Sequence, residues 1–241
     1  MFGRFHRIFM EGIDDKSMSY KAFLFDYDYT LAFSEPAILM CYRHVFDVFG
    51  YKDITDDTIK KTIGITLKNA LEQMTNISDP DELSEMISAF QSKADEVMTS
   101  HTVIYPSVVP FFERIVDSGA KIGIVSNKFA YRIRDALEYN NMSKYVSVII
   151  GIEDTQSHKP SPEGLLKALA DLSVPDSGAL YIGDSMIDCL TAKNAGVDFA
   201  AVTTGTTPTE VFETEPHVAV VSDLMQLSEV VFNVLNTASQ I

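Results

Sequence analysis

Six short, mostly apolar runs recur along the chain, and none alternates with polar residues. They are Lys21–Asp26 (KAFLFD), Lys121–Ser126 (KIGIVS), Val146–Gly151 (VSVIIG), Ala179–Asp184 (ALYIGD), Phe199–Thr204 (FAAVTT) and His217–Val221 (HVAVV). A strand with one wet face alternates, whereas a strand covered on both faces reads as a continuous, β-branched run. Helical spacing fills the gaps. Val109, Phe112 and Ile115 mark Val108–Ser118; Ile133, Ala136 and Leu137 mark Tyr131–Asn140; Leu165, Leu166 and Leu169 mark Pro162–Leu172. Met186–Ala195 and Asp223–Leu235 complete the set. Strand alternating with helix implies right-handed βαβ crossovers, so the expected fold is a Rossmann-like three-layer α/β/α core around a parallel sheet.

One stretch breaks the rhythm. Between about Ser34 and Thr102 no strand is evident, and helical patterns cover Glu35–Phe49, Leu67–Met74 and Pro80–Met98. The expected organisation is therefore an extension at 1–20, a core built from 21–33 and 103–241, and an all-helical insert at 34–102. Gly50 and Pro106 punctuate it. Asp53–Asp57 (DITDD) reads as helix capping and not as a calcium loop, because the glycine and terminal glutamate of such a loop are missing. In the extension, Phe2, Phe5, Ile8 and Phe9 mix with Arg4, His6 and Arg7. The apolar run is too short for a secretory signal and no small-residue cleavage site follows, so it reads as a loosely ordered segment with Met10 or Met18 as candidate starts.

Open α/β sheets bind ligands at the carboxyl ends of their strands. There the first strand delivers Asp26-Tyr27-Asp28-Tyr29-Thr30-Leu31, and the second delivers Ser126-Asn127-Lys128. The loop after the third carries Lys159-Pro160-Ser161-Pro162, and the fourth ends in Gly183-Asp184-Ser185 with Asp188 one turn on. Crowded carboxylates repel, and a divalent cation with oxygen ligands, Mg²⁺ by preference, relieves them. That ion and Lys159 would neutralise a phosphoryl group, while Ser126 and backbone N–H groups would hold its remaining oxygens.

The wider composition narrows the partners. With 19 basic against 34 acidic residues the formal charge is −15, which excludes nucleic acid or an anionic membrane held by a basic surface. A small phosphorylated metabolite must be drawn in by a local site. Cys41 and Cys189 are too few for a disulfide framework or a zinc site and suit a reducing cytoplasm. No stretch is long and apolar enough to span a bilayer. The sequons at Asn76 and Asn141 read as chance matches. Monomer and dimer both stay open.

The four motifs, in order and each after a predicted strand, resemble the phosphatase branch of the haloacid dehalogenase superfamily: DxDxT-L at Asp26–Leu31, S-N at Ser126–Asn127, K-P-x-P at Lys159–Pro162 and GDSxxD at Gly183–Asp188. Each alone is weak; the ordered set is specific, and the resemblance spans Lys21 to about Leu235. It implies that Asp26 is the nucleophile that takes the phosphoryl group. Asp28 would be the general acid and then base. The carboxylates of Asp26 and Asp184, with the Asp28 carbonyl, would ligate Mg²⁺. Asp188 would hold the metal's waters or position Lys159, and Thr30 would brace the loop. Asp28 argues against dehalogenation, since the dehalogenases lack an acid there. The insert resembles the family's small helical cap, with Lys68 as the candidate substrate contact beside Asn127 and Lys128. The Ser-Asn-Lys triplet resembles the Thr-Asn-Lys of phosphoglycolate phosphatases and brings in 2-phosphoglycolate. A β-phosphoglucomutase-like mutase, a pyrophosphatase and a catalytically weak binding protein are the competing expectations. Two positions depart from the pattern: Tyr29 stands where glycine is usual, and Phe33 where an acid is common. Tyr29 either walls the site with its ring or marks a drift toward low activity.

Overall fold

The computed structural model describes residues 20–238, with side chains through residue 232. Apart from Tyr20, the extension read at 1–20, including Met10 and Met18, lies outside the described residues.

Among the described residues eight strands follow one another: β1 (Ala22–Phe25), β2 (Ala32–Phe33), β3 (Val103–Ile104), β4 (Lys121–Val125), β5 (Val148–Ile150), β6 (Ala179–Gly183), β7 (Asp198–Val202) and β8 (Ala219–Val221). The helices are α1 (Glu35–Phe49), α2 (Asp56–Lys60), α3 (Leu67–Thr75), α4 (Pro80–Val97), α5 (Val108–Asp117), α6 (Ala130–Tyr139), α7 (Glu163–Leu172), α8 (Met186–Ala195), α9 (Thr209–Phe212) and α10 (Leu224–Ala238). Six strands form one sheet in the order β5-β4-β1-β6-β7-β8, and every neighbouring pair is parallel. From β1 the chain winds outward to β4 and β5, then returns to the other side for β6, β7 and β8. The winding reverses beside β1, and a crevice opens there at the strands' carboxyl ends.

The unbroken apolar runs follow from burial on both faces. In β1, Phe23 and Phe25 pack with Phe111, Phe112 and Ile133 on one face. Ala22 and Leu24 pack with Leu165, Leu169 and Tyr181 on the other. All four β1 residues are at most 1% exposed. Cutting Phe25 to alanine would therefore cost about 3–5 kcal/mol.

The stretch from α1 to α4 buries its own cluster, including Cys41, Val45, Phe46, Leu71 and Met86. Its helices end on local signals. Gly50 closes α1 in a left-handed conformation, and Thr55 caps α2 through its hydroxyl, in line with the capping reading of Asp53–Asp57. The two chain passages between insert and core pair with each other as antiparallel β2 and β3, Ala32 opposite Ile104 and Phe33 opposite Val103. Two-residue strands carry no readable period, and neither this pair nor α2 is evident from the sequence. β5 and β8 begin two residues later than the runs at Val146 and His217 suggest. Among the described residues no helix is long and apolar enough to cross a membrane.

Candidate active site

β1 ends in a tight loop. The Asp26 N–H still donates to Ile182 O at 2.9 Å, after which Leu31 and Ala32 both donate back to Tyr27 O at 2.9 and 3.1 Å. This reversal gathers Asp26 and Asp28 at one crevice, whereas a straight strand would set them on the same face about 6.6 Å apart along it. Asp184 leaves the end of neighbouring β6, and Asp188 lies in the first turn of α8, where it forms a reciprocal cap with Ser185.

Asp26, Asp184 and Asp188 are buried, and one oxygen from each lies within 4.8 Å of the others. The Lys159 ammonium sits among them, 2.7 Å from Asp26 Oδ1 and 2.7 Å from Asp188 Oδ1, and donates to the Tyr181 hydroxyl at 3.2 Å. That hydroxyl is also 3.0 Å from both Asp188 Oδ1 and Val125 O, so one proton serves either acceptor. Asp188 Oδ2 accepts from the Ser185 N–H at 3.2 Å and from its hydroxyl at 2.5 Å. Both oxygens of Asp188 are thus engaged by protein donors. Of its two expected roles, the one this geometry suits is positioning Lys159.

Asp184 accepts from Thr30 through Oδ1 at 3.2 Å. Among the described residues, neither Asp184 Oδ2 nor Asp26 Oδ2 receives a hydrogen bond. Gly205 keeps the first of these clear: a Cβ there would lie 1.9 Å from Asp184 Oδ2. Gly183 does the same for Asp188, whose Cβ would be 2.3 Å from an added one.

The electrostatics follow from three carboxylates facing one ammonium. Burial raises the Asp26 carboxyl to about 6, with Lys159 pulling down and Asp188 pushing up. Burial, then Asp188 and Asp26, hold Asp184 well above the usual carboxylate range. Burial works against the Lys159 charge, but Asp188 and Asp26 more than offset it and hold its pKa well above the ordinary value. An all-oxygen donor set, an excess of negative charge and two unoccupied carboxylate oxygens fit a hard divalent cation on Asp26 and Asp184.

The Asp28 carboxylate stands apart from this trio. It accepts from the Ser34 hydroxyl at 2.5 Å and from Lys128 Nζ at 2.9 and 3.2 Å. Lys128 also lies 5.6 Å from the centroid of the buried Tyr27 ring. Ser126 is buried beside them, and its oxygen accepts from the Lys128 N–H at 3.4 Å. Asn127 joins core to insert: its amide donates to Gly64 O at 2.9 Å and accepts from the Lys159 N–H at 3.1 Å.

Lys68 requires correction as a substrate contact. Its side chain is 64% exposed, pairs with Glu72 one turn on at 3.7 Å, and lines a separate surface hollow beside Pro80 and Leu83. It is a solvated helix lysine, and the cations lining the space between the insert and the sheet are Lys128 and Arg132.

Tyr29 adopts a positive φ of 61° and is nonetheless buried, at 3% exposure. Its N–H donates to Ala32 O at 2.8 Å, and its carbonyl accepts from the Thr204 hydroxyl. Its own hydroxyl donates to Glu35 at 2.6 Å, and Glu35 pairs with Lys60 of α2 at 2.9 Å. The ring thus wedges the β1 loop against the base of the insert. Phe33, the other departure, is 37% exposed on β2. Glu35, Lys60, Tyr181 and Gly205 are site residues that the sequence reading passed over. Only Tyr181, a polar ring inside an otherwise aliphatic run, carried a visible signal.

Comparison with known proteins agrees with this geometry. The family model described as haloacid dehalogenase-like hydrolase matches residues 23–202. A phosphoglycolate phosphatase of Rhodobacter capsulatus is 30% identical over 215 residues, covering 87% of this chain and 96% of the relative. The pyrophosphatase PpaX of Anoxybacillus flavithermus is 27% identical over 189 residues, covering 77% and 84%. A crystal structure of a haloacid dehalogenase-like chain from Bacteroides fragilis superposes with a TM-score of 0.84 at 41% identity, covering 86% of this chain and 99% of that one.

Proposed function

The chain belongs to the haloacid dehalogenase-like hydrolases, and from that premise we propose that it is a Mg²⁺-dependent phosphatase that hydrolyses a small phosphomonoester through an aspartyl-phosphate on Asp26. The observation that carries this reading is Asp26 itself, buried at the reversal point of the sheet with Lys159 at 2.7 Å and Asp184 beside it. Asp26 and Asp184 would hold Mg²⁺, which when bound supplies charge neutralisation for the phosphoryl group and the carboxylates.

The chain's own residues account for the remaining steps. A carboxylate oxygen of Asp26 attacks phosphorus as the P–O bond to the alcohol breaks, and Asp28 gives its proton to the departing oxygen. Asp28 then takes a proton from water, which attacks the phosphorus of the acyl phosphate; phosphate leaves and the Asp26 carboxylate is restored. Lys159, held by Asp188, offsets charge on the phosphoryl oxygens, and the Ser126 hydroxyl is placed to bind one of them. The retained Lys159, Asp28 and carboxylate trio weigh against a catalytically weak binding protein. Buried, unpaired Cys41 and Cys189 suit a reducing cytoplasm.

The likeness to a phosphoglycolate phosphatase and the Ser126-Asn127-Lys128 triplet favour 2-phosphoglycolate as one candidate substrate. The likeness to PpaX favours pyrophosphate as a second reading. The test is phosphate release from both, and from neutral alkyl, sugar and nucleotide monoesters, with Mg²⁺ and with chelator. Release that needs Mg²⁺ and disappears in Asp26→Asn is expected. Release that survives either treatment would overturn the mechanism.

A further inference from the structure

The segment that follows β7 grips the β1 loop and Asp184 together. The Thr203 N–H donates to Val221 O of β8 at 2.9 Å, which anchors the segment. The next residue, Thr204, is half-buried and donates its hydroxyl to the Tyr29 carbonyl. The one after, Gly205, passes so close to Asp184 Oδ2 that an added Cβ would lie 1.9 Å from it.

Tyr29 is the residue through which this grip acts. The peptide unit before it carries the Asp28 carbonyl, and the unit after it leads into Thr30. The first is pinned by the Tyr29 N–H, which donates to Ala32 O at 2.8 Å. A trans peptide is planar, with N–H and C=O opposed, so that bond also aims the Asp28 carbonyl. Among the described residues that carbonyl accepts no hydrogen bond, as suits a group that would ligate Mg²⁺. The second unit is pinned by Thr204, and Thr30 then donates to Asp184 Oδ1 at 3.2 Å. Between the two units Tyr29 holds a φ of 61°, a region that a residue with a Cβ disfavours and glycine does not. Were φ to relax to negative values, the two units would turn against each other. The Asp28 carbonyl and the Thr30 hydroxyl would then lose their present relation.

Resting on the phosphatase reading above, we infer that Thr204 is a positioning residue for Mg²⁺: its hydroxyl holds Tyr29 in the left-handed conformation and so keeps the Asp28 carbonyl and Asp184 set for the ion. The bond supplies a constraint that glycine at position 29 would not need. Thr204 touches neither ion nor substrate in this role; it acts through the backbone that carries the ligands, as partners behind metal ligands do.

The experiment is titration calorimetry of Mg²⁺ alone into the metal-free full chain, with unfolding in chelator measured alongside. Thr204→Val removes the hydroxyl at nearly constant shape and should weaken Mg²⁺ binding about tenfold. Thr204→Ser keeps the donor and should bind as the parent does. In a Tyr29→Gly background the valine substitution should cost less than about threefold, because glycine takes a positive φ without help. A general loss of packing would lower stability in chelator without separating valine from serine or sparing the glycine background. Should Thr204→Val fail to fold, Thr204→Ala carries the same expectation. Parent-like Mg²⁺ affinity in the valine or alanine variant, or an equal loss with glycine at position 29, overturns this inference and leaves the phosphatase reading standing. A parent that binds no Mg²⁺ overturns both.

Discussion

Replacing Tyr29 by glycine sets two opposed effects against each other, and the structure determines which is larger. A left-handed φ of 61° costs a non-glycine residue roughly 1–2 kcal/mol, which glycine would relieve. The tyrosine ring, however, is 3% exposed. Removing a buried aromatic side chain costs about 3–5 kcal/mol, and glycine adds about 0.5–1 kcal/mol through the freedom of the unfolded chain. The net expectation is destabilisation by about 1.5–5 kcal/mol. Tyr29→Phe keeps the ring and removes only the hydroxyl bond to Glu35, which retains Lys60 as a partner. That variant should lose about 1–2 kcal/mol. Burial, and then the Glu35 carboxylate, hold the Tyr29 phenol well above its ordinary value, so the difference between parent and Phe variant should not change across the neutral range. Denaturant unfolding of the three proteins at matched Mg²⁺ gives all these values. A glycine variant as stable as the parent, or more so, would refute the wedge, because strain would then outweigh everything the ring contributes.

Lys159→Met leaves three buried carboxylates without their ammonium and should cost about 3–5 kcal/mol in chelator, with part of the loss recovered in Mg²⁺; unchanged unfolding in chelator would contradict the charge balance drawn here. Asp28→Asn should slow both transfer and hydrolysis and let a phospho-enzyme accumulate, visible by intact-protein mass spectrometry; a full rate at every pH would remove Asp28 from the acid–base role. Asn127→Ala cuts the bond to Gly64 O and should speed amide hydrogen exchange around Gly64–Thr66, with an effect of about 1 kcal/mol; unaltered exchange there would show that the bond holds nothing. The Asp26 carboxyl is raised from 3.8 to about 6, so in metal-free protein its contribution to stability is fully present below 3.8 and is lost as pH rises through 6. The loss amounts to about 3 kcal/mol at 1.36 kcal/mol per pK unit. Mg²⁺ affinity should rise over the same interval, and calorimetry in buffers of different ionisation enthalpy should detect proton release on binding; a pH-independent affinity would refute it.

The sheet was legible because burial on both faces leaves a continuous apolar run, as in Lys21–Asp26 and Ala179–Asp184, and because chemistry gathers where such runs end. The contents of the crevice followed from that rule. What stayed hidden depends on pairing across distance. Nothing local to Glu35 says that it receives the Tyr29 hydroxyl, and nothing local to Gly205 says that Asp184 closes in on it. β2 and β3 are two residues each and exist only because they meet. Lys68 stays away from the crevice, and the sequence holds the clue: Glu72 lies four residues on, the spacing of a solvated helix pair.

The strongly acidic composition and a phosphate substrate are reconciled by distance. A formal charge of −15 repels anions over the whole surface, but exposed charges are screened within about 8–10 Å at moderate salt. Inside the crevice, the field comes from a few buried groups whose interactions are screened far less. There the metal-free site is itself anionic, with Lys159 outnumbered by Asp26, Asp184 and Asp188. On the reading proposed above, the same imbalance that pushes Asp26 and Asp184 upward would make a divalent cation a condition of phosphate binding, and not merely an aid to turnover.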